Sequence, residues 1–234
     1  MSIKGIIFDK DGTLFDYHQT WMPLIYKTAM LAANNDRNLA LKLLRATGWH
    51  QKTHTIVADS PLAVSTNSEI AQIWAQYLTN GSARKVTDIL NYTFTNEGPK
   101  SAHPVTDLRK FLKMLVNDGY LLGVATSDSE TSTRAMLDHF HITPQFSFIA
   151  GYDSGYGVKP DPSIINYFCQ LNGLKEHEVV MIGDNIHDIK LGRNAQVGCC
   201  IGVLTGTSDR ATLAVEADFV LSDITKITKL IQTI

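Results

Sequence analysis

Three things are scarce in this 234-residue chain. Cysteine occurs three times, as Cys169 and the adjacent pair Cys199 and Cys200, with no C-x-x-C spacing. An odd, clustered set of this kind excludes a disulfide framework, and no Cys/His group has the spacing of a zinc site. It fits reduced packing thiols in a cytoplasmic protein. A surplus of either charge is also missing, since 21 basic residues face 23 acidic ones for a net charge of -2. That balance leaves no basic footprint for nucleic acid and no cationic face for a membrane surface. Long apolar runs are absent too. Nothing approaches the roughly 20 apolar residues that span a bilayer, and the N-terminus MSIKGIIFDKDG meets charge too soon to read as a signal peptide. With 44% hydrophobic and 19% charged residues, the chain has the make-up of a globular protein that can bury a full core.

The order of patterns along the chain carries the fold. Ile3–Phe8 (IKGIIF) is a short buried strand ending in the polar turn D-K-D-G-T. Residues 16–96 then carry helix signals and no good strand: a segment opening at Thr20, one closed by Gly48, one running from Ser68 to Gly81, and a fourth from Ala83 to Thr95. Alternation begins near Gly98. Val105–Asp118 is an amphipathic helix, Tyr120–Ala125 a strand, Glu130–Phe140 a helix and Phe146–Ile149 a strand. Asp161-Pro162 opens a helix to Gly173, and Val179–Ile182 is the next strand. The helix Asp188–Ala195, the strands Gly198–Val203 and Asp218–Leu221, and the helix Asp223–Thr233 complete the series. Strands alternating with helices predict a Rossmann-like α/β core with a parallel sheet. The predicted organisation is a discontinuous core of residues 1–15 and 97–234, with an all-helical cap, residues 16–96, inserted after strand one. Ligands of open α/β sheets bind beyond the carboxyl ends of the strands, where such an insert would stand.

The polar residues after each predicted strand make a set. Asp9 and Asp11 follow the first, Thr126 and Ser127 the second, Lys159 the third across a glycine-rich loop, and Asp184 and Asp188 the fourth. In a parallel sheet these ends share one edge. A phosphate monoester carries about two negative charges near neutral pH, so carboxylates facing it need a cation between them. A carboxylate cluster supplies the hard oxygen ligands that Mg2+ favours, and Lys159 adds a positive charge. An aspartate can then act as nucleophile through an aspartyl-phosphate, and a second carboxyl can move the proton of the leaving oxygen. Taken singly, each member has a plainer reading. D-x-D-G-T can be only a turn, Thr126 and Asp188 helix caps, and Lys159 a solvated loop lysine.

Together the segments FDKDGTL, Thr126 after its strand, VKPDP and GDNIHD resemble the four motifs of the haloacid-dehalogenase superfamily. GVKPDPSII, MIGDNIHDIKLGRNAQ and the tail ADFVLSDITKI are similar to its phosphoglycolate-phosphatase-like branch. The resemblance implies an α/β core with a four-helix cap, and a Mg2+-dependent phosphatase acting on a small phosphorylated metabolite as a monomer or homodimer. It implies Asp9 as nucleophile and metal ligand, and Asp11 as general acid/base with its main-chain carbonyl on the metal. Thr126, Ser127 and Gly12 would lie at the phosphate, and Thr13 would brace the loop. Lys159 would neutralise charge, and Asp184 and Asp188 would complete the metal site. Asp11 favours phosphate chemistry over carbon–halogen cleavage, because dehalogenases of the superfamily lack it. Lys10 departs from the usual apolar residue between the two aspartates. It could point away, pair with an acidic neighbour or reach the leaving group. Phe15–Gln19 and Arg45–His54 are candidate substrate contacts, with Arg45 suited to a carboxylate. A phosphonate hydrolase or sugar-phosphate mutase on the same core, a phospho-accepting receiver, and a silent binding protein are the competing readings.

Overall fold

The computed structural model describes residues 2–53, 55–58, 60–79 and 81–234, so His54 lies outside the described residues. The chain divides into two compact units, Met1–Tyr17 with His103–Ile234, and His18–Ala102.

Strand β1, Gly5–Phe8, opens the first unit and is buried at every position. The chain then passes through the second unit. Its helices are α1 (Tyr17–Ala32), which begins at the unit boundary, α2 (Arg37–Ala46), the single turn α3 (Pro61–Val64), α4 (Asn67–Ala75) and α5 (Ala83–Ser101). Two expectations shift here. Thr20 does not begin a helix but lies fully buried inside α1, and α4 is capped by Thr66, whose side chain and that of Glu69 form a reciprocal box, rather than by Ser68. The unit also holds a short antiparallel hairpin, β2 (Trp49–His50) and β3 (Thr55–Ile56), where no strand was expected. Two residues per strand are too few to show an alternating pattern. Fully buried Trp74 of α4 anchors this unit, its indole donating to Thr47 Oγ1 at 3.1 Å. Helix α5 continues to Ser101, past the expected boundary at Glu97, whose carboxylate pairs with Lys27 of α1 at 2.6 Å.

Back in the first unit, helices α6 (Leu108–Asn117), α7 (Glu130–His139), α8 (Ser163–Asn172), α9 (Ile186–Asn194), α10 (Arg210–Leu213) and α11 (Ile227–Leu230) alternate with strands β4 (Leu121–Ala125), β5 (Phe146–Ala150), β6 (Val179–Gly183), β7 (Cys199–Val203) and β8 (Phe219–Leu221). The last predicted helix is a 3-10 turn, Ile224–Lys226, running into α11, and α6 starts at Leu108 because Asp107 caps it.

Six strands form one parallel sheet in the order β5-β4-β1-β6-β7-β8. The chain moves outward from β1 through β4 to β5, then returns to the other side of β1 for β6. This reversal is the crevice where open α/β sheets bind ligands. Phe8 stands level with Val124 on one side and Ile182 on the other, so Asp9, Thr126 and Asp184 leave the sheet within a residue of one another.

Close packing over the central strands depends on missing side chains. Phe168 of α8 is fully buried, and a Cβ added at Gly5 or Gly123 would stand 2.9 or 3.1 Å from its ring. The ring fills space that two glycines on neighbouring strands vacate. Phe168→Ala is therefore expected to lower the unfolding free energy by about 3–5 kcal/mol, measured by urea denaturation. A loss below about 1 kcal/mol would mean that the helix collapses freely onto the sheet.

Candidate active site

Asp9 follows β1 directly, its backbone N–H bonded to Ile182 O at 2.8 Å, and its side chain is buried. Asp184 follows β6, and Asp188 sits in the first turn of α9, both buried. One carboxylate oxygen from each of the three lies within 4.8 Å of the others. Lys159, only 4% exposed at its side chain, donates to Asp9 Oδ1 at 2.5 Å and Asp188 Oδ1 at 2.6 Å. Two glycine-containing turns make room for this crowd. Gly12, at φ +89°, and Gly206 both lie so close to the Asp184 carboxylate that a Cβ at either position would collide with it.

The loops around the cluster are tied down. The segment leading to Lys159 is clasped to the start of α7: Ser154 Oγ donates to Glu130 Oε2 at 2.5 Å, and Glu130 N donates to Asp153 Oδ1 at 2.8 Å. Beyond the lysine, Asn194 Nδ2 donates to Pro160 O at 2.9 Å. Asp188 also closes the capping box of α9, accepting from Asn185 N at 3.0 Å. The helix starts at Ile186 with Asn185 as its cap, two residues before the predicted start. Asp188 thus holds a helix end and an ion pair at once.

Electrostatics follow from burial. Burial raises the Asp9 carboxyl to about 6, against the pull of Lys159 and with a further push from Asp188. Asp184 is held well above the usual carboxylate range, by burial first and by Asp9 and Asp188 second. For Lys159 burial works the other way, but Asp188 and Asp9 outweigh it and keep the ammonium charged. If all ionise, three negative charges and one positive leave two negative charges unbalanced. Asp9 Oδ2, moreover, is buried without a hydrogen-bond partner among the described residues. A divalent cation with hard oxygen preferences fits this donor set.

The remaining sequence candidates are placed as follows. The Asp11 carboxylate is not in the three-carboxylate group. It pairs with the ammonium of Lys10, Oδ2 to Nζ at 2.6 Å. Burial raises its carboxyl above the ordinary range, Lys10 opposing. Thr126 is buried, donates its N–H to Ala150 O at 2.9 Å and accepts from Asp128 N at 3.1 Å. It does not cap α7, because Ser129 does. Ser127 is exposed. Thr13 does not brace the first loop by its hydroxyl, which is buried and unpaired among the described residues. Bracing comes instead from Thr205 Oγ1, which donates to Gly12 O at 2.6 Å. Thr207 N donates to Asp184 Oδ2 at 2.8 Å. The 205–207 turn was missed in the sequence, although its position after β7 on the same sheet edge was the available signal. In the second unit, Arg45, Trp49, His50, Gln51 and Lys52 line a surface hollow, and Arg45 Nη1 donates to Gln51 Oε1 at 2.9 Å.

Residues 6–201 match the family model of the haloacid dehalogenase-like hydrolases. Among curated proteins, the phosphoglycolate phosphatase of Vibrio cholerae is 28% identical over 95% of this chain and 94% of its own length. That of Aliivibrio fischeri is 26% identical over 87% and 84%. Among solved structures, a protein predicted to be a phosphoglycolate phosphatase from Haemophilus somnus superposes with a TM-score of 0.74 at 20% identity, covering 98% of both chains. A hydrolase of the superfamily from Geobacter sulfurreducens gives 0.70 at 18% identity, covering 98% of this chain and 96% of its own. The structures speak for the fold and the family model for descent: this chain belongs to the haloacid dehalogenase-like hydrolases, on the branch that holds the phosphoglycolate phosphatases.

Proposed function

We propose that this hydrolase is a Mg2+-dependent phosphatase that cleaves a small phosphorylated metabolite, phosphoglycolate or a similar ester, through an aspartyl-phosphate on Asp9. The observation that carries the reading is the Lys159 ammonium bridging Asp9 and Asp188, with Asp184 within ligand distance of both. Such a group binds a dianion only with added positive charge, and phosphoryl transfer chiefly needs that charge and exact placement.

In this reading Asp9, Asp184 and Asp188 hold the metal, with the Asp11 main-chain carbonyl beside them. An ion held by these residues would supply positive charge to offset the phosphoryl oxygens. Asp9 attacks phosphorus, and the bond from phosphorus to the leaving oxygen breaks. Lys159, locked on Asp9 Oδ1, leaves Oδ2 as the oxygen without a hydrogen-bond partner. Asp11 gives a proton to the leaving oxygen and then takes one from the water that attacks the phosphorus of the aspartyl-phosphate, freeing Asp9. Thr126 and the Gly12 turn border the phosphoryl group, with Ser127 beside them. Arg45, in the surface hollow of the second unit, is a candidate partner for a carboxylate.

Two outcomes are expected. Phosphate release from a panel of small phosphate esters should require Mg2+ and be abolished in Asp9→Asn. Phosphorylation of Asp9 without release would instead favour a mutase or receiver. The second outcome concerns stability and pH. Folding holds the Asp9 proton up to about pH 6, whereas an unfolded aspartate loses it near the ordinary 3.8, and Asp11 and Asp184 shift in the same direction. Between these limits the folded state binds more protons, so metal-free stability falls as pH rises. Thermal melting in a chelator should therefore give a lower midpoint at about pH 8 than at about pH 5, with Mg2+ restoring more at the higher pH. A chelated midpoint that rises with pH would show that burial does not govern these carboxylates.

A further inference from the structure

Lys10 has its side chain wholly inside the protein, at 0% exposure, in the loop between the two strand-end aspartates. Lysine is almost never fully buried unless its charge is paired. A methionine or leucine would fill similar space with no desolvation cost, so the charge itself calls for an explanation. The ammonium lies 2.6 Å from Asp11 Oδ2, 3.0 Å from Asp128 Oδ2 and 3.8 Å from Met136 Sδ. The carboxylate of Asp128 is itself oriented, with Oδ1 accepting from Ser129 N at 2.7 Å, and its N–H is held by Thr126 Oγ1. A chain of polar contacts therefore runs from the turn after β4 through Asp128 and Lys10 to Asp11. The contact to Asp11 is the shorter of the two ion pairs.

We propose that Lys10 is a positioning residue that fixes the Asp11 carboxyl for proton transfer to the leaving oxygen, with Asp128 anchoring the ammonium from the far side. This assignment rests on the hydrolase reading above. It is a geometric role. A carboxyl next to the nucleophile can turn about two side-chain bonds, and an ammonium resting on its Oδ2 restricts that rotation whether or not the carboxyl carries its proton. Lys10 then affects both proton transfers of Asp11, to the leaving oxygen and from the attacking water, and only the first depends on the leaving group.

The readout is a split between leaving groups. An aryl phosphate with an acidic phenol, such as p-nitrophenyl phosphate, departs without help, whereas an alkyl phosphate needs the proton. Steady-state kcat and KM would be measured on p-nitrophenyl phosphate and on the best alkyl ester of the panel, for wild type, Lys10→Met, Asp128→Asn and Asp11→Asn. Because aspartyl-phosphate hydrolysis is common to both esters, the comparison is of kcat/KM, which reports the half-reaction in which the leaving group departs. Lys10→Met is expected to lose about 100-fold in kcat/KM on the alkyl ester and less than about 10-fold on the aryl ester, following the pattern of Asp11→Asn. Equal losses of kcat/KM on both esters, or no loss on either, would overturn the assignment and leave Lys10 a structural residue. If Lys10→Met does not fold, Asp128→Asn decides. Its side chain is 26% exposed, and it should show the same ordering with a smaller loss on the alkyl ester. A uniform loss or no loss there overturns the proposal. A wild type that releases phosphate from neither ester, while its fold is intact by thermal melting, sinks the hydrolase reading and the Lys10 assignment with it.

Discussion

Three buried carboxylates held within ligand distance of one another, with one ammonium among them, are the constraint on which the rest of this structure depends. Two like charges about 4 Å apart repel by about 4 kcal/mol even at an effective dielectric of about 20. Side chains left to themselves would separate. They stay together because each is fixed to a strand end or a helix start that hydrogen bonds hold in place. Asp9 is bonded into the sheet edge, Asp188 is tied into a capping box, and Asp184 accepts from the Thr207 N–H. Strands β1 and β6, which deliver Asp9 and Asp184, are buried along their whole length.

The same constraint explains the composition of the surrounding loops. Gly12 and Gly206 sit where any side chain would collide with Asp184. The loop before Lys159 is glycine-rich but not slack, since Ser154, Asp153 and Glu130 clasp it to α7. Below the cluster the sheet is closed by Phe168 over Gly5 and Gly123, so the platform that carries Asp9 is packed on a rigid layer. Packing and electrostatics are one design here, since rigid strands are what let like charges be stored close together.

Much of this was legible from residue order. Short apolar runs punctuated by glycine and followed by Asp, Thr, Lys and Asp mark the strand ends directly, because a buried parallel strand has to be apolar and its first solvent-side residue does not. What was hard to see had short or non-local causes. The hairpin β2–β3 offers two residues per strand. Thr20 looks like a helix cap by type, yet tertiary packing buries it inside α1. The turn at 205–207 contains only Thr and Gly, and it matters because of which carboxylate and which carbonyl it meets 20 to 200 residues away.

Lys10 shows the division most clearly. Its identity, and its departure from an apolar residue, can be read in the sequence. Three destinations were open to it there, and only the folded chain shows Asp11 and Asp128 on either side of its ammonium. The sequence by itself determined the α/β class, the strand ends and the residue types that meet there, because these follow from local periodicity and from the polarity of single positions. Tertiary structure decided which of them touch: Lys159 on Asp9 and Asp188, Asp11 paired with Lys10 and outside the three-carboxylate group, and Thr205 in place of Thr13 as the brace of the first loop. The reason is physical. Polarity is a property of a residue, but a hydrogen bond or ion pair is a property of a distance, and distances between residues far apart in the chain exist only after folding.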